Sequence, residues 1–169
     1  MTGVLHPDEI EEVLHRHHVG RLACVAGGRP YVAPITYAYA DGAIYGCTAA
    51  GRKVAALRLD PHACFEVDER WDDLTWRSVV AEGVYEELTD PAERRTALLR
   101  LRGVLPDVSL ATEAAGGIVF RLRLTEKTGR FVRRLTPAIP FDLTRTALAE
   151  IDLRAGGFTN WPLGSGAET

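Results

Sequence analysis

The chain has 169 residues, of which 46% are hydrophobic and 25% charged, with a formal net charge of −3. That length allows one domain with a substantial core, and that balance is the one expected of a soluble globular protein. The mild negative charge argues against a general nucleic-acid binder, no apolar run is long enough to span a bilayer, and the first residues lack the basic-then-apolar layout of a signal peptide.

The order of elements begins with a helix from Pro7, where proline suits the first helical position and Asp8 and Glu9 suit the positive end of the helix dipole. Ile10, Val13 and Leu14 form its apolar stripe, and His15, Arg16, His17 and His18 close it. His15 and His18 share a face, but no clustered carboxylate or cysteine completes a metal set, so the cluster reads as a C-terminal cap and no metal site is predicted. Val19–Val25 is a first strand, and the glycine pair Gly27-Gly28 predicts a hairpin turn. Tyr31–Ala40 is a longer second strand, and Asp41-Gly42 a second hairpin turn leading into the strand Ala43–Cys47. Pro34 cannot donate to a ladder. It marks either an edge strand or a place where something other than a strand lies alongside.

A tight turn, Thr48 to Gly51, leads into a helix with apolar Val54, Ala55, Leu57 and Leu59 on one face and Arg52-Lys53 in its first turn. The first amides of a helix lack partners, and its N-terminus is already positive. Two cations there are locally unfavourable unless an anion sits among them. Amide donors, the Thr48 hydroxyl, a glycine and two cations make a phosphate cradle. A solvated basic pair on a surface helix is the other reading.

His62–Asp68 is the next strand, Glu69–Asp73 a polar loop containing Trp71, and Thr75–Leu88 a long strand with a bulge expected at Gly83. Thr89-Asp90-Pro91 caps a helix over Ala92–Arg102, with Ala97, Leu98 and Leu101 facing inward. Gly103–Ala115 is turn-rich. Gly117–Thr125 alternates strictly as a half-buried strand and extends towards Val132. A short helix is predicted at Arg145–Asp152, and the segment after Gly156 reads as a tail in which Phe158 and Trp161 could dock on a partner. Residues 1–134 form the predicted domain and 135–169 a C-terminal extension. Cys24, Cys47 and Cys64 are odd in number and sit in apolar strand-like runs, so no disulfide framework is expected and a cytoplasmic location is. The pattern predicts a mainly β protein, a closed or split antiparallel barrel with inserted helices.

Val19-Gly20-Arg21-Leu22-Ala23, Pro30 to Ile35, Ile44 to Thr48, Gly51-Arg52-Lys53, Cys64 to Asp68, Trp76 to Val80, Gly83 and Glu86-Glu87-Leu88 follow one another in an order that resembles a known family. These are the pyridoxamine 5'-phosphate oxidase-like, FMN-binding split-barrel proteins, in the branch of flavin-nucleotide-binding proteins near the nitroimidazole-resistance reductases. The resemblance runs from about Ile10 to Val132. It implies a six-stranded split barrel and a homodimer with two cofactor sites at its interface. It implies that Arg52 and Lys53 bind the FMN phosphate, that Pro34, Ile35 and Thr36 lie along the isoalloxazine ring, and that Cys47 and Thr48 line the ring or ribityl chain. Trp76 and Arg77 would approach from the neighbouring strand or the other subunit. One departure stands out: the position of Cys47 is commonly histidine in this branch, so the imidazole that would contact a flavin, or ligate haem in relatives that bind it, is absent. A thiol there is either redox-active, which requires a lowered pKa, or buried and inert.

No Ser-His-Asp set, paired carboxylates or glycine-rich nucleotide fingerprint is present, so no acid, base or nucleophile is assigned. Glu66 and Asp68 alternate with apolar Phe65 and Val67 and read as solvent-facing or dimer-contact residues. The function expected is flavin-mediated electron or hydride transfer to a small substrate by an FMN-dependent oxidoreductase. A deazaflavin-dependent reductase and a non-catalytic flavin- or haem-binding dimer are the alternatives.

Overall fold

The two hairpins form where the glycines require them. Gly27 and Gly28 take φ of +62° and +72°, and Asp41 and Gly42 take +51° and +71°, the left-handed pair that a two-residue turn needs to match strand twist. The computed structural model describes residues 1–104 and 116–134. In chain order these hold β1 (Thr2–Val4), α1 (Pro7–Arg16), β2 (Val19–Ala26), β3 (Arg29–Thr36), β4 (Ala38–Ala40) and β5 (Ala43–Thr48). They continue with α2 (Arg52–Leu59), β6 (His62–Asp72), β7 (Thr75–Glu87), α3 (Pro91–Val104) and β8 (Ile118–Val132). The expected helix at 145–152, the docking of Phe158 and Trp161, most of the turn-rich segment and the extension from 135 onwards lie outside the described residues.

All pairings are antiparallel, in the order β3-β2-β6-β7-β8-β5-β4, with β1 alongside the far end of β8. The eight strands correct the six-strand expectation at two points. Thr2–Val4 adds a short strand, and the single strand expected over Tyr31–Ala40 is two. Tyr37 is the break. Its ring is fully buried, its N–H bonds to His18 O at 2.9 Å instead of joining a ladder, and its hydroxyl donates to Leu14 O at 3.0 Å. β3 and β4 are the two edges of the sheet, yet one residue separates them in the chain. The sheet therefore curls until its edges meet at Tyr37 without a ladder between them, which is a split barrel. Pro34 sits on β3, an edge strand, where a missing donor costs no pairing.

The barrel interior holds Leu22, Ile35, Tyr37, Ile44, Phe65, Val67, Val79, Phe120 and Leu122, closed by Ile10, Val13 and Leu14 of α1 and Leu57 of α2. A second cluster joins Ala97 and Leu98 of α3 to Ala43, Tyr45, Leu88 and Val119. Each large side chain fully buried in this way stabilises the fold by about 1.5–3 kcal/mol. β5 is thus covered on both faces.

α1 and α3 begin as the sequence predicts. Glu9 reaches back to the His6 N–H at 2.8 Å, and the Asp90 carboxylate accepts from Ala92 N and Glu93 N, each at 2.9 Å. On α2 the buried face is Val54, Ala56 and Leu57, while Ala55 and Leu59 are exposed. Two of the four stripe positions expected there are therefore wrong. In an eight-residue helix the rotation is set by where its neighbour β2 lies, not by so short a pattern. The polar loop expected over Glu69–Asp73 is instead mostly strand: β6 runs on to Asp72, and the turn is Asp73-Leu74. Pairing of Glu69 with Arg77 and of Arg70 with Trp76 extends it, where charge alone suggested a loop.

The expected bulge is at Gly83, with the extra residue on the opposite strand. Glu82 faces Glu126 and Gly83 faces Leu124, so Thr125 is unpaired, and its hydroxyl donates to Glu82 O at 3.2 Å. A Cβ at Gly83 would lie 2.5 Å from Arg123 O. Backbone cannot move aside as a side-chain tip can. Gly83→Ala is expected to destabilise by about 1–3 kcal/mol, read as a lower thermal midpoint with the β-sheet circular dichroism unchanged at low temperature.

Candidate cofactor site

The end of β5 and the start of α2 bring Thr48, Arg52 and Lys53 together. α2 starts at Gly51 with no side-chain cap and no acidic residue in its first turn. Arg52 is exposed and Lys53 half-buried, and among the described residues neither pairs with a carboxylate. The Arg52 guanidinium lies over the Tyr31 ring, 4.9 Å from its centroid. The Thr48 hydroxyl donates locally to Ala49 O at 3.3 Å. This corner carries positive charge and unclaimed amide donors, so it suits an anion.

β3 runs close to β5 and supplies Pro34, Ile35 and Thr36. Successive side chains alternate across a strand, and the three residues divide accordingly. Ile35 is in the core, whereas Pro34 is exposed and Thr36 half-buried on the outward face. Cys47 and Thr48 divide the same way. Cys47 packs against the cluster under α3, and Thr48 points to the other side of β5. Burial raises the pKa of the Cys24 and Cys64 thiols, for Cys24 against the opposing charge of Arg52.

Trp76 and Arg77 also face opposite ways. Trp76 is on the outward face beside Arg21, Glu66, Asp68, Arg70 and Ser78. Arg77 is the charged side chain that is buried among the described residues, 8% exposed. Its Nε donates to Glu69 Oε2 at 2.6 Å and its Nη1 to Glu12 Oε2 at 3.2 Å, with the Trp71 ring 5.7 Å away. Arg16 joins both carboxylates. Burial alone would raise the Glu69 pKa, but the hydrogen bonds from Arg77 and Arg16 hold it below the usual value, and Arg77 does the same for Glu12. Glu66 and Asp68 pair with Arg21 on the outward face, the solvent-side placement the alternation suggests.

Sequence reasoning did not single out Arg29 or Tyr31 as neighbours of this corner. Arg29 is the first residue of β3, and together with Arg52, Ala55 and Leu59 it lines a groove between the β2–β3 hairpin and α2. The hairpin turn was legible. The packing of α2 against β2, which brings the two arginines into one groove, is a long-range contact. No helix among the described residues is long and apolar enough to cross a membrane.

Residues 6–131 match the family model described as pyridoxamine 5'-phosphate oxidase. A FAD-binding protein of Mesorhizobium loti is 33% identical, with a TM-score of 0.71 over 79% of this chain and 99% of that one. An uncharacterised protein of Rhizobium meliloti is 28% identical over 75% of this chain and 93% of its own length. A protein of Bacteroides thetaiotaomicron assigned to 5-nitroimidazole antibiotic resistance shares the fold at 17% identity, with a TM-score of 0.64 over 78% and 87% of the two chains. The curled antiparallel sheet, split where β3 gives way to β4, thus lies almost wholly within the matched residues 6–131, about three-quarters of the chain, and the chain belongs to the pyridoxamine 5'-phosphate oxidase family.

Proposed function

We propose that the chain binds a flavin and uses it for electron or hydride transfer to a small substrate. The FMN unit would have its phosphate at Thr48, Arg52 and Lys53. The observation that carries this reading is the pair Arg52-Lys53, without a carboxylate partner among the described residues, at the uncapped start of α2. The donor set fits a phosphate: two cations, a hydroxyl and helix amides, each a good partner for an anionic oxygen. The FAD-binding relative from Mesorhizobium loti, 33% identical over 79% of this chain, supports a flavin as the ligand.

A bound flavin supplies the redox chemistry at its ring. The chain's own part is to anchor the phosphate, to present the outward edge of β3 at Pro34 and Thr36 to the ring, and to exclude water. Thr36 offers a hydroxyl there and Pro34 a flat apolar surface. The test is the absorption spectrum of the purified protein, followed by mass identification of the released ligand. An oxidised-flavin spectrum is expected. A haem Soret band, or a deazaflavin as the released species, overturns the assignment.

The site is proposed to lie at the interface of a homodimer. The outward face of the sheet exposes Val19 (58%), Val25 (54%), Val32 (61%) and Val80 (40%). Cross-strand rows run Pro34–Arg21–Glu66–Val80 and Val32–Ala23–Cys64–Glu82. Valines interleaved with the Arg21, Glu66 and Asp68 charges that pair with one another on that face suit a second copy of the same surface, and monomers rarely leave such patches uncovered. Light scattering is expected to give twice the chain mass. Val32→Lys with Val80→Lys is expected to give the monomer and to weaken flavin binding. A monomeric unmodified protein would refute the interface.

A further inference from the structure

We infer that Tyr31 is a positioning residue for the bound phosphate, its ring holding the Arg52 guanidinium in place without neutralising it. This rests on the flavin reading above and adds the group that orders its anchor. Cations stacked on aromatic rings recur in this chain. Arg77 lies over Trp71, Arg100 over Tyr45, Lys127 over Tyr39 and Arg133 over Phe131, at 4.5–5.8 Å from the ring centroids. Each of these cations also meets a carboxylate: Glu69 and Glu12 for Arg77, Asp41 for Arg100, Glu11 for Lys127 and Glu9 for Arg133. Arg52 over Tyr31, at 4.9 Å, is the one stacked cation among the described residues that has a ring and no carboxylate.

The difference matters because of where a guanidinium keeps its donors. Its N–H groups lie in the plane of the group and point outward from its edge. A carboxylate engages that edge and cancels the charge. A ring engages only the face, so the donor edge and the full charge stay open to an incoming phosphate. Tyr31 is also a fixed platform. Its backbone on β3 is paired with Cys24 of β2, and its ring is half-buried against the main core. Arg52 is exposed on the first turn of α2. Left free in water, such a long side chain loses much of its rotamer freedom when a ligand orders it. Stacking on Tyr31 takes that loss before the ligand arrives, which favours binding. The same strand carries Pro34 and Thr36, so one element sets the spacing between the phosphate anchor and the residues proposed to face the flavin ring.

The experiment measures the affinity of the full chain for FMN and for riboflavin, by flavin fluorescence and calorimetry. Riboflavin is FMN without its phosphate, so it reads every contact but the anchor. Tyr31→Leu is expected to weaken FMN binding about tenfold and to leave riboflavin binding unchanged. Tyr31→Phe keeps the ring face and is expected to bind both ligands as the natural protein does. In the Arg52→Ala background, Tyr31→Leu is expected to add no further loss, because the ring then has no guanidinium to hold. Tyr31→Met keeps more of the apolar packing and gives the same comparison should the leucine variant not fold. Natural FMN affinity in these variants, equal losses for FMN and riboflavin, or a loss that persists without Arg52 would overturn the positioning role and leave the phosphate corner standing. An FMN affinity unchanged by Arg52→Ala itself removes the corner, and this role with it.

Discussion

Replacing Arg52 and Lys53 together by alanine is expected to weaken flavin binding by two orders of magnitude or more. A hydrogen bond to a charged group contributes about 1.5–3 kcal/mol, so losing two costs about 3–6 kcal/mol, at 1.4 kcal/mol per tenfold. Neither side chain contributes to the core: Arg52 is exposed, Lys53 is half-buried, and neither has a carboxylate partner among the described residues. The unfolding midpoint of the ligand-free protein is therefore expected to stay within a degree or two. Titration of the apoprotein with FMN, monitored by flavin fluorescence, reads the affinity. The same variant should also lose the extra stability that a tightly bound ligand gives the folded state. An unchanged FMN affinity would place the phosphate elsewhere and remove the basis for the site.

The second large effect concerns Arg77. Arg77→Ala is expected to destabilise the fold by about 1.5–3 kcal/mol, because it removes the charge-assisted hydrogen bond to the half-buried Glu69 carboxylate and leaves Arg16 as its remaining arginine partner. Glu69 is the carboxylate at stake, its side chain only 13% exposed and bonded to Arg77 at 2.6 Å. The bond also ties β7 to the extended end of β6, and through Glu12 to α1. Urea unfolding measures the loss. Arg77→Met combined with Glu69→Leu is expected to recover most of it, since a buried ion pair costs desolvation that an apolar pair does not. A purely local role would be sunk if the double variant were no better than the single one.

The pH dependence follows from the same network. The folded-state pKa values of Glu12 and Glu69 lie below the ordinary 4.5. For such groups the stabilisation is fully present above the unfolded value and is lost as pH falls through the folded value. The difference in stability between the natural protein and Arg77→Ala should thus be constant above pH 5 and shrink as the solution is acidified below about 4.5. A difference that grew on acidification would contradict the assignment of these carboxylates as the partners.

Much of the fold was legible because local rules decide it. The glycine pair at 27–28 and Asp41-Gly42 could only be tight turns, since their backbone must enter the left-handed region. Ile10, Val13 and Leu14, like Ala97, Leu98 and Leu101, repeat at helical spacing and are buried as that spacing requires. The corner at Thr48, Arg52 and Lys53 was also legible, because three consecutive local features (a strand end, a glycine and a basic first turn) sit within a few residues.

The errors share one cause, which is that a partner from elsewhere in the chain overrides the local pattern. Tyr37 reads as mid-strand until His18 O and Leu14 O capture its N–H and hydroxyl. Trp71 reads as loop until β7 pairs with the residues before it. Leu59 reads as buried until the placement of α2 on β2 turns it outward. By itself the sequence determined the strands, the turns, the capped helices and a cationic helix start, because each depends on neighbours within a turn or a pleat. Only the tertiary structure decided that β3 and β4 are opposite edges of one curled sheet, that Arg77 is spent on Glu69 and Glu12, and that Arg29 shares a groove with Arg52. Those outcomes are contacts between residues far apart in the chain, and their energy depends on which surfaces are left to bury once the sheet has closed on its core.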